Sequence, residues 1–180
     1  MFFKKTLNLS YKRVRRDTAR KPDPALYEQK KKELDILKDQ AFKGEIDLEY
    51  FDESGFNLNP NLPYAWNPIG ETLSIPAKMS KNLNVLGFFN KNKSTLFAST
   101  TYDKVDTEVV IGHFNLFVDE IKAPTVAVVD NASIHTSKKF QEMLPIWKEK
   151  GLTVFYLPPY SPQLNPIEMV WKFMKYYWIE

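Results

Sequence analysis

The spacing of apolar residues changes along the chain between that of strands and that of helices. The segment IDLEYF (46–51) has strand character. Two short β-rich runs, LNVLGFF (83–89) and STLFAST (94–100), are separated by the turn sequence NKNK, which predicts a hairpin. The runs APTVAVVD (123–130) and LTVFYLP (152–158) are apolar without alternation, as is typical of strands covered on both faces. These patterns predict five strands.

Helical spacing fills the intervals around these strands. A first helix is expected between a capping Asp23 and Gly44, with an apolar stripe of Leu26, Leu34, Leu37 and Ala41. Further helices are predicted over 106–121, 136–150 and 165–178. Three strands followed by alternating helices and strands is the order of the ribonuclease-H-like fold, an α/β mixed five-stranded sheet flanked by helices. The Gly/Pro/Asn-rich stretch 54–71 is expected to be a loop or an irregular hairpin.

Composition excludes several classes of protein. The chain has no cysteine, which rules out disulfide scaffolds and thiolate metal sites, and its two histidines are too few for a histidine-rich metal site. No run approaches the roughly 18 apolar residues of a membrane helix, and the first residues lack the apolar stretch of a signal peptide. We therefore expect a soluble, cytoplasmic protein with no membrane partner.

Charge is distributed unevenly. Residues 1–43 carry 13 Lys/Arg against 6 Asp/Glu, whereas residues 44–180 carry 12 against 16. A basic arm on a mildly acidic body suggests that the arm meets a polyanion, although a solvated charged helix would give the same pattern.

Three acidic residues stand out by their position. Asp52 follows the strand 46–51, and Asp130 follows the apolar run TVAVV (125–129). Glu168 lies on the first turn of the last helix. A carboxylate at the end of a buried parallel strand sits where open α/β sheets build their sites. Carboxylate oxygens without histidine or sulfur favour Mg²⁺ or Mn²⁺, and a pair of such ions can cleave a phosphodiester.

Each acid also has a purely structural interpretation. With 22 acidic residues in the chain, some end strands by chance. Asn165, Pro166 and Glu168 form a capping-box pattern, in which Glu168 would serve only the start of its helix. The residue types alone leave both interpretations open.

Three sequence blocks resemble the catalytic blocks of DDE transposases. They are YFDESGF, VVDNASIHTS and YLPPYSPQLNPIEMVWKFMK, and they are most similar to the bacterial insertion-sequence branch of the mariner superfamily. The third block carries most of the resemblance, through Pro158, Pro159, Tyr160, Ser161, Pro162, Leu164, Asn165, Pro166 and Glu168. The interval of 37 residues between Asp130 and Glu168 also resembles that of the family. Trp66, Pro68, Gly70 and Glu71 resemble its short hairpin after the first aspartate.

The resemblance implies a ribonuclease-H-like fold with Asp52 and Asp130 on adjacent central strands and Glu168 on a helix beside them. These three would be the catalytic residues and the ligands of Mg²⁺ or Mn²⁺, with two ions expected. The implied activity is cleavage of DNA at transposon ends, followed by attack of the freed 3′-hydroxyl on target DNA. The implied partners are the terminal inverted repeats and target DNA, in the bacterial cytoplasm, and a homodimer is compatible with the resemblance.

The resemblance also sets the expected domain organisation. Family members begin with helix-turn-helix units, of which only LSYKRVRR is recognisable, so we expect a chain truncated at both ends. We expect a basic remnant and linker in 1–22, a connecting helix in 23–45, and the catalytic domain in 46–180.

Other residues carry weaker hypotheses. The side chains of Lys12, Arg13, Arg15 and Arg16 are candidate DNA-phosphate contacts, or else a solvated tail. His135 is interpreted as a residue that organises its loop, with catalysis as the alternative. Trp66 is expected to pack in the hairpin instead of stacking on a base. Two competing functions are a catalytically silent DNA-binding or interaction fragment and a host ribonuclease of the same fold.

Overall fold

The computed structural model describes residues 23–57 and 82–177. Five strands form one sheet: β1 (Asp47–Phe56), β2 (Leu83–Asn90), β3 (Thr95–Thr101), β4 (Thr125–Val129) and β5 (Leu152–Tyr156). Four α-helices accompany them: α1 (Pro24–Phe42), α2 (Thr107–Val118), α3 (Lys138–Glu149) and α4 (Ile167–Tyr177). A short 3₁₀ helix, Pro162–Leu164, precedes α4.

The strands lie in the order β3-β2-β1-β4-β5. The first three are antiparallel neighbours, whereas β4 pairs parallel with both β1 and β5. Each parallel connection passes through a helix, as a crossover requires. This mixed five-stranded sheet flanked by helices is the ribonuclease-H-like fold that the element order predicts.

The sheet separates two hydrophobic cores. Because side chains alternate across a strand, Phe51 of β1 packs with α2 and α3, while Leu48 and Tyr50 face α1 and α4. The continuously apolar strand β4 contributes to both cores, as expected of a strand covered on both faces. No helix within the described ranges is long and apolar enough to cross a membrane.

Local signals place the helix ends well. The Asp23 carboxylate accepts from the amide of Ala25 at 3.0 Å, and the Ser137 hydroxyl accepts from that of Phe140 at 3.3 Å. Gly44 follows α1 with a φ of +76°, the left-handed conformation that glycine adopts without strain. The predicted apolar stripe of α1 needs one correction. Its packed residues are Tyr27, Leu34, Leu37 and Ala41, without Leu26.

Strand β1 is longer than the sequence predicts. The prediction ends it at residue 51 and starts a loop at residue 54, but pairing with β2 continues as far as Phe56. Asp52 therefore lies inside β1 and not at its end. Pairing with β2 extends the strand, and the sequence of β1 alone does not reveal that partner. The remainder of the predicted loop lies outside the described residues.

Gly87 of β2 allows α4 to approach the sheet. It pairs directly opposite Asp52 and faces α4. A Cβ atom added at Gly87 would lie 2.8 Å from Cη2 of Trp171, whose indole is buried on α4. The missing side chain therefore makes room for the indole, and the indole fixes the height of α4 above β1.

We expect Gly87→Ala to destabilise the protein by about 1–3 kcal/mol, since overpacking forces Trp171 and α4 to move. The melting temperature should fall by several degrees in a thermal denaturation experiment. Gly112→Ala is the matched control, because a Cβ atom at that position of α2 would contact nothing within 4 Å. This control should stabilise the helix by roughly 0.5–1 kcal/mol. Equal effects of the two substitutions would contradict the proposed role of Gly87.

Candidate active site

A cavity of 300 Å³ opens where β1, the loop after β4 and the start of α4 meet. The three carboxylates singled out in the sequence, Asp52, Asp130 and Glu168, all line it. The rest of its wall comes largely from the loop that follows β5, residues 157–162. Residues far apart in the sequence thus share one site.

Asp52 lies where the two neighbours of β1 diverge. The last parallel pair joins Tyr50 to Val128, whereas β2 stays beside β1 as far as Phe56. Beyond Tyr50 the β4 side of β1 is no longer covered by a strand. Asp52 shares the α1 and α4 face of the sheet with Tyr50, so its carboxylate borders the space that the divergence leaves.

Asn165 holds the loop before α4 against β1. Its side-chain amide donates to the backbone carbonyl of Phe51 at 3.1 Å, directly beside Asp52. Its Oδ1 atom is buried and accepts no hydrogen bond from the described residues, so Asn165 does not cap α4. Within the same residues the Glu168 carboxylate also accepts no hydrogen bond. The capping box that the sequence allows is therefore not formed, and Glu168 is left exposed on the first turn of α4.

Asp130 directly follows β4 and is fixed by two donors. Its Oδ1 atom accepts from the backbone amide of Ala132 at 3.0 Å and lies 2.7 Å from Nδ1 of His135. The other ring nitrogen of His135 lies 3.0 Å from Oε1 of Glu53. His135 is buried and bridges the two carboxylates. These bonds agree with the interpretation of His135 as an organiser of its loop.

Burial and negative neighbours destabilise the ionised form of two carboxylates. Burial, followed by the charges of Glu53, Glu168 and Asp130, raises the pKa of Asp52 to about 8. Burial and the charge of Asp130 also raise the pKa of Glu168, although Lys175 opposes this effect. The cavity wall therefore favours an added positive charge.

Hydrogen bonds act in the opposite direction at Asp130. Burial would raise its pKa, but the bonds from His135 and from the amide of Ala132 prevail and lower it. For His135, burial alone would lower the pKa. Its hydrogen bonds to Asp130 and Glu53 instead raise the pKa to about 10, so the imidazole is positively charged at neutral pH.

The sequence that forms the sheet and this cavity identifies the family of the chain. A family model described as DDE superfamily endonuclease matches residues 47–180, which includes all three cavity carboxylates. The chain belongs to this family. The residues that the model matches are its DDE endonuclease domain.

Solved structures agree with this DDE domain in fold. The Mos1 transposase paired-end complex with the left transposon end superposes with a TM-score of 0.63 at 17% identity, over 92% of this chain and 52% of that one. The Mos1 mariner paired-end complex with Mn gives a TM-score of 0.57 at 17% identity, over 87% and 50%. At this identity the likeness establishes the ribonuclease-H-like fold.

One curated protein is related in sequence. The uncharacterized protein y4pE/y4sA of Sinorhizobium fredii is 39% identical over 57 residues, 32% of this chain and 38% of its own length. The DDE chain therefore spans about half of the Mos1 transposase chain and less than half of this relative.

The donor set of the DDE domain fits a hard divalent cation. It offers oxygen atoms only, and the raised pKa values of Asp52 and Glu168 show that positive charge is favoured there. In residues 23–57 and 82–177, however, no three Asp, Glu, His or Cys side chains are grouped closely enough to hold an ion. Ligation by all three carboxylates therefore requires side-chain rotation, which the exposed Glu168 permits.

Sequence reasoning missed Glu53. Its neighbour Asp52 draws attention, and strand alternation places Glu53 on the opposite face of β1, which hides its connection to the site. Its own signal was weak, because β1 contains four acidic residues, Asp47, Glu49, Asp52 and Glu53. The basic residues proposed to contact phosphate, Lys12, Arg13, Arg15 and Arg16, lie outside the described residues, as does the predicted hairpin around Trp66.

Proposed function

We propose that this DDE domain cleaves DNA at transposon ends with the help of divalent metal ions and joins the freed 3′-hydroxyl to target DNA. The observation that carries the proposal is that Asp52, Asp130 and Glu168 line one cavity. Each comes from a different element of the fold, so the cavity is built by the fold as a whole. Bound Mg²⁺ or Mn²⁺, expected as a pair, supplies an activated water and stabilises the leaving oxygen of a phosphodiester.

The three carboxylates would contribute differently. The backbone of Asp52 is held by strand pairing, so its carboxylate extends from a fixed position on the sheet. Asp130 is anchored through Oδ1 by the amide of Ala132 and the ring of His135. Glu168 has no such anchor and would complete the ligand set by rotation when DNA and metal are bound. No side chain needs to attack phosphorus, because water and then the 3′-hydroxyl are the nucleophiles.

The surroundings of the cavity suit a polyanion. A larger groove of 1560 Å³ adjoins it and shares Asp52 and Glu168. Its wall also carries the lysines Lys38, Lys91, Lys172 and Lys175. Ammonium groups around a carboxylate centre can hold phosphates by charge while the carboxylates take the metal.

We extend the proposal to DNA as the partner of the whole chain. The similar Mos1 structures are named as complexes with a transposon end and with Mn, which supports DNA and a divalent metal here. We assign catalysis to residues 46–180, connection to the helix in 23–45, and phosphate contacts to Lys12, Arg13, Arg15 and Arg16 in the segment 1–22. A homodimer would be compatible with this arrangement.

A plasmid-nicking assay tests the proposed activity. With Mg²⁺ or Mn²⁺ the chain should convert supercoiled plasmid to the open circle, and EDTA should stop the reaction. Asp130→Asn should slow nicking by at least about a hundredfold, because it removes a charged ligand. The matched control is Asp119→Asn, which removes an exposed carboxylate paired with Lys150 and should leave the rate unchanged.

Two results would contradict the proposal. Folded wild-type chain that nicks no DNA with either metal would favour a silent DNA-binding or interaction fragment. Cleavage of RNA in RNA–DNA hybrids, without nicking of duplex DNA, would favour a ribonuclease of the same fold.

A further inference from the structure

Glu53, His135 and Asp130 form a chain of two carboxylates joined by an imidazole, here called the Glu53–His135–Asp130 bridge. Nε2 of His135 lies 3.0 Å from Oε1 of Glu53, and Nδ1 lies 2.7 Å from Oδ1 of Asp130. The bridge links β1 to the loop after β4. Both ring nitrogens are therefore committed to carboxylate oxygens, which leaves His135 no free nitrogen with which to bind a metal or take a proton from DNA.

The ring of His135 is buried between aromatic side chains. It is 1% exposed. It packs edge-on against Phe51 at 5.6 Å between ring centroids and tilted against Phe140 at 5.7 Å. Its backbone carbonyl accepts from the hydroxyl of Tyr156 at 2.9 Å. A ring fixed in this way can transmit the position of one carboxylate to the other.

The bridge anchors Asp130 through one oxygen only. Oδ1 accepts both from His135 and from the amide of Ala132, whereas Oδ2 accepts no hydrogen bond from the described residues. The Asp130 side chain is 52% exposed and lines the cavity. The carboxylate is thus fixed by Oδ1 and keeps Oδ2 for another partner.

Glu53 is not part of the wall of the 300 Å³ cavity, although it contributes to the wall of the larger groove beside it. Asp52 lies on the face of β1 towards α1 and α4, while Glu53 lies on the face of Phe51. The two successive residues therefore reach the site by different routes, Asp52 directly and Glu53 through His135.

We propose that Glu53 and His135 are positioning residues that orient Asp130, so that its Oδ2 is the atom presented to the metal. The inference rests on the proposed function, because it assigns roles around the same metal centre. Partners that fix a ligating carboxylate commonly change metal affinity or activity by about 10–100-fold when they are removed. Glu53 acts by accepting a hydrogen bond and not by supplying charge to the metal.

The substitutions Glu53→Ala and Glu53→Gln distinguish positioning from direct ligation. Glutamine keeps the Oε1 acceptor for His135 but not the negative charge. In the plasmid-nicking assay, Glu53→Ala should lower kcat about 10–100-fold, with a KM for DNA within about twofold of the wild type. Glu53→Gln should recover kcat to within about fivefold of the wild type. Equal losses in both variants would show that Glu53 ligates the metal itself, and no loss in Glu53→Ala would remove its role.

A second measurement does not depend on activity. The chain has only two histidines, so ¹⁵N-histidine labelling of the metal-free protein gives only two rings to assign. The ¹⁵N chemical shift of Nε2 should be alike in wild type and Glu53→Gln and should move in Glu53→Ala, because only alanine removes its partner. An Nε2 shift that Glu53→Ala leaves unchanged would overturn the bridge. The expected shifts without nicking by the wild-type chain would count against the proposed function, while the bridge would stand.

Discussion

Asp52→Asn should reduce plasmid nicking by at least about a thousandfold while making the metal-free protein more stable near neutral pH. Loss of activity follows from losing a charged metal ligand. Greater stability follows because the Asp52 carboxylate is partly buried near Glu53, Glu168 and Asp130, which raises its pKa to about 8. Asparagine has nearly the same shape and never carries the repelled charge.

The stability effect has a defined pH dependence. The pKa of Asp52 is higher in the folded protein, about 8, than its ordinary value of 3.8, so folding favours the protonated form. The stabilising contribution of protonated Asp52 is complete below about pH 4 and is lost as the pH rises towards 8. The advantage of Asp52→Asn should therefore grow over this window, to about 1–3 kcal/mol after allowance for solvent screening.

Thermal denaturation in EDTA at several pH values measures this difference. Millimolar Mg²⁺ should stabilise the wild type, by about 1.4 kcal/mol if the metal is at tenfold its Kd, and should stabilise Asp52→Asn much less. Asp119→Asn, at an exposed position, should follow the wild type in all conditions. A difference between Asp52→Asn and wild type that does not change with pH would mean that Asp52 is ionised normally in the fold.

Glu168→Gln is expected to lower nicking by two or more orders of magnitude and to change the melting temperature little. The Glu168 carboxylate lines the cavity with Asp52 and Asp130, so its charge would be lost from the ligand set. Stability of the metal-free protein should rise only slightly, because Glu168 is exposed and accepts no hydrogen bond from the described residues, and the substitution removes only the repulsion that raises its pKa. Cleavage and thermal stability should be measured on the same preparations, with a terminal-repeat duplex as substrate.

The control for Glu168→Gln is Glu142→Gln on α3. Glu142 is also an exposed helical glutamate, 4.0 Å from a lysine ammonium group and away from the cavity. The substitution Glu142→Gln should leave both cleavage and stability at the wild-type level. Full cleavage by Glu168→Gln would remove Glu168 from the proposed metal centre.

Much of the fold could be predicted because its signals are local. Strand β4 is apolar from Val126 to Val129, and it is indeed covered on both faces. Asp23 and Ser137 stand before helices that they cap. The turn NKNK joins β2 to β3 as expected. Such features depend on neighbouring residues, which a single sequence contains in full.

The candidate site was only partly accessible in this way. Asp52, Asp130 and Glu168 could all be picked out by the predicted ends of elements, although β1 in fact continues to Phe56. The three blocks that resemble DDE transposases contain the same residues. Their meeting in one cavity depends on the order of strands in the sheet, because β1 and β4 are neighbours although they are far apart in the sequence.

The sequence by itself therefore determined the elements, their order and the three candidate carboxylates. Tertiary structure alone decided that β1 continues past Asp52, that Asn165 binds the carbonyl of Phe51 instead of capping α4, and that Glu53 meets His135. Each of these contacts joins segments distant in the chain. These contacts depend on strand register. A shift of β1 by one residue would move Asp52 and Glu53 each to the opposite face of the sheet. No local pattern encodes that register, because it is set by the packing of other elements against both faces of β1.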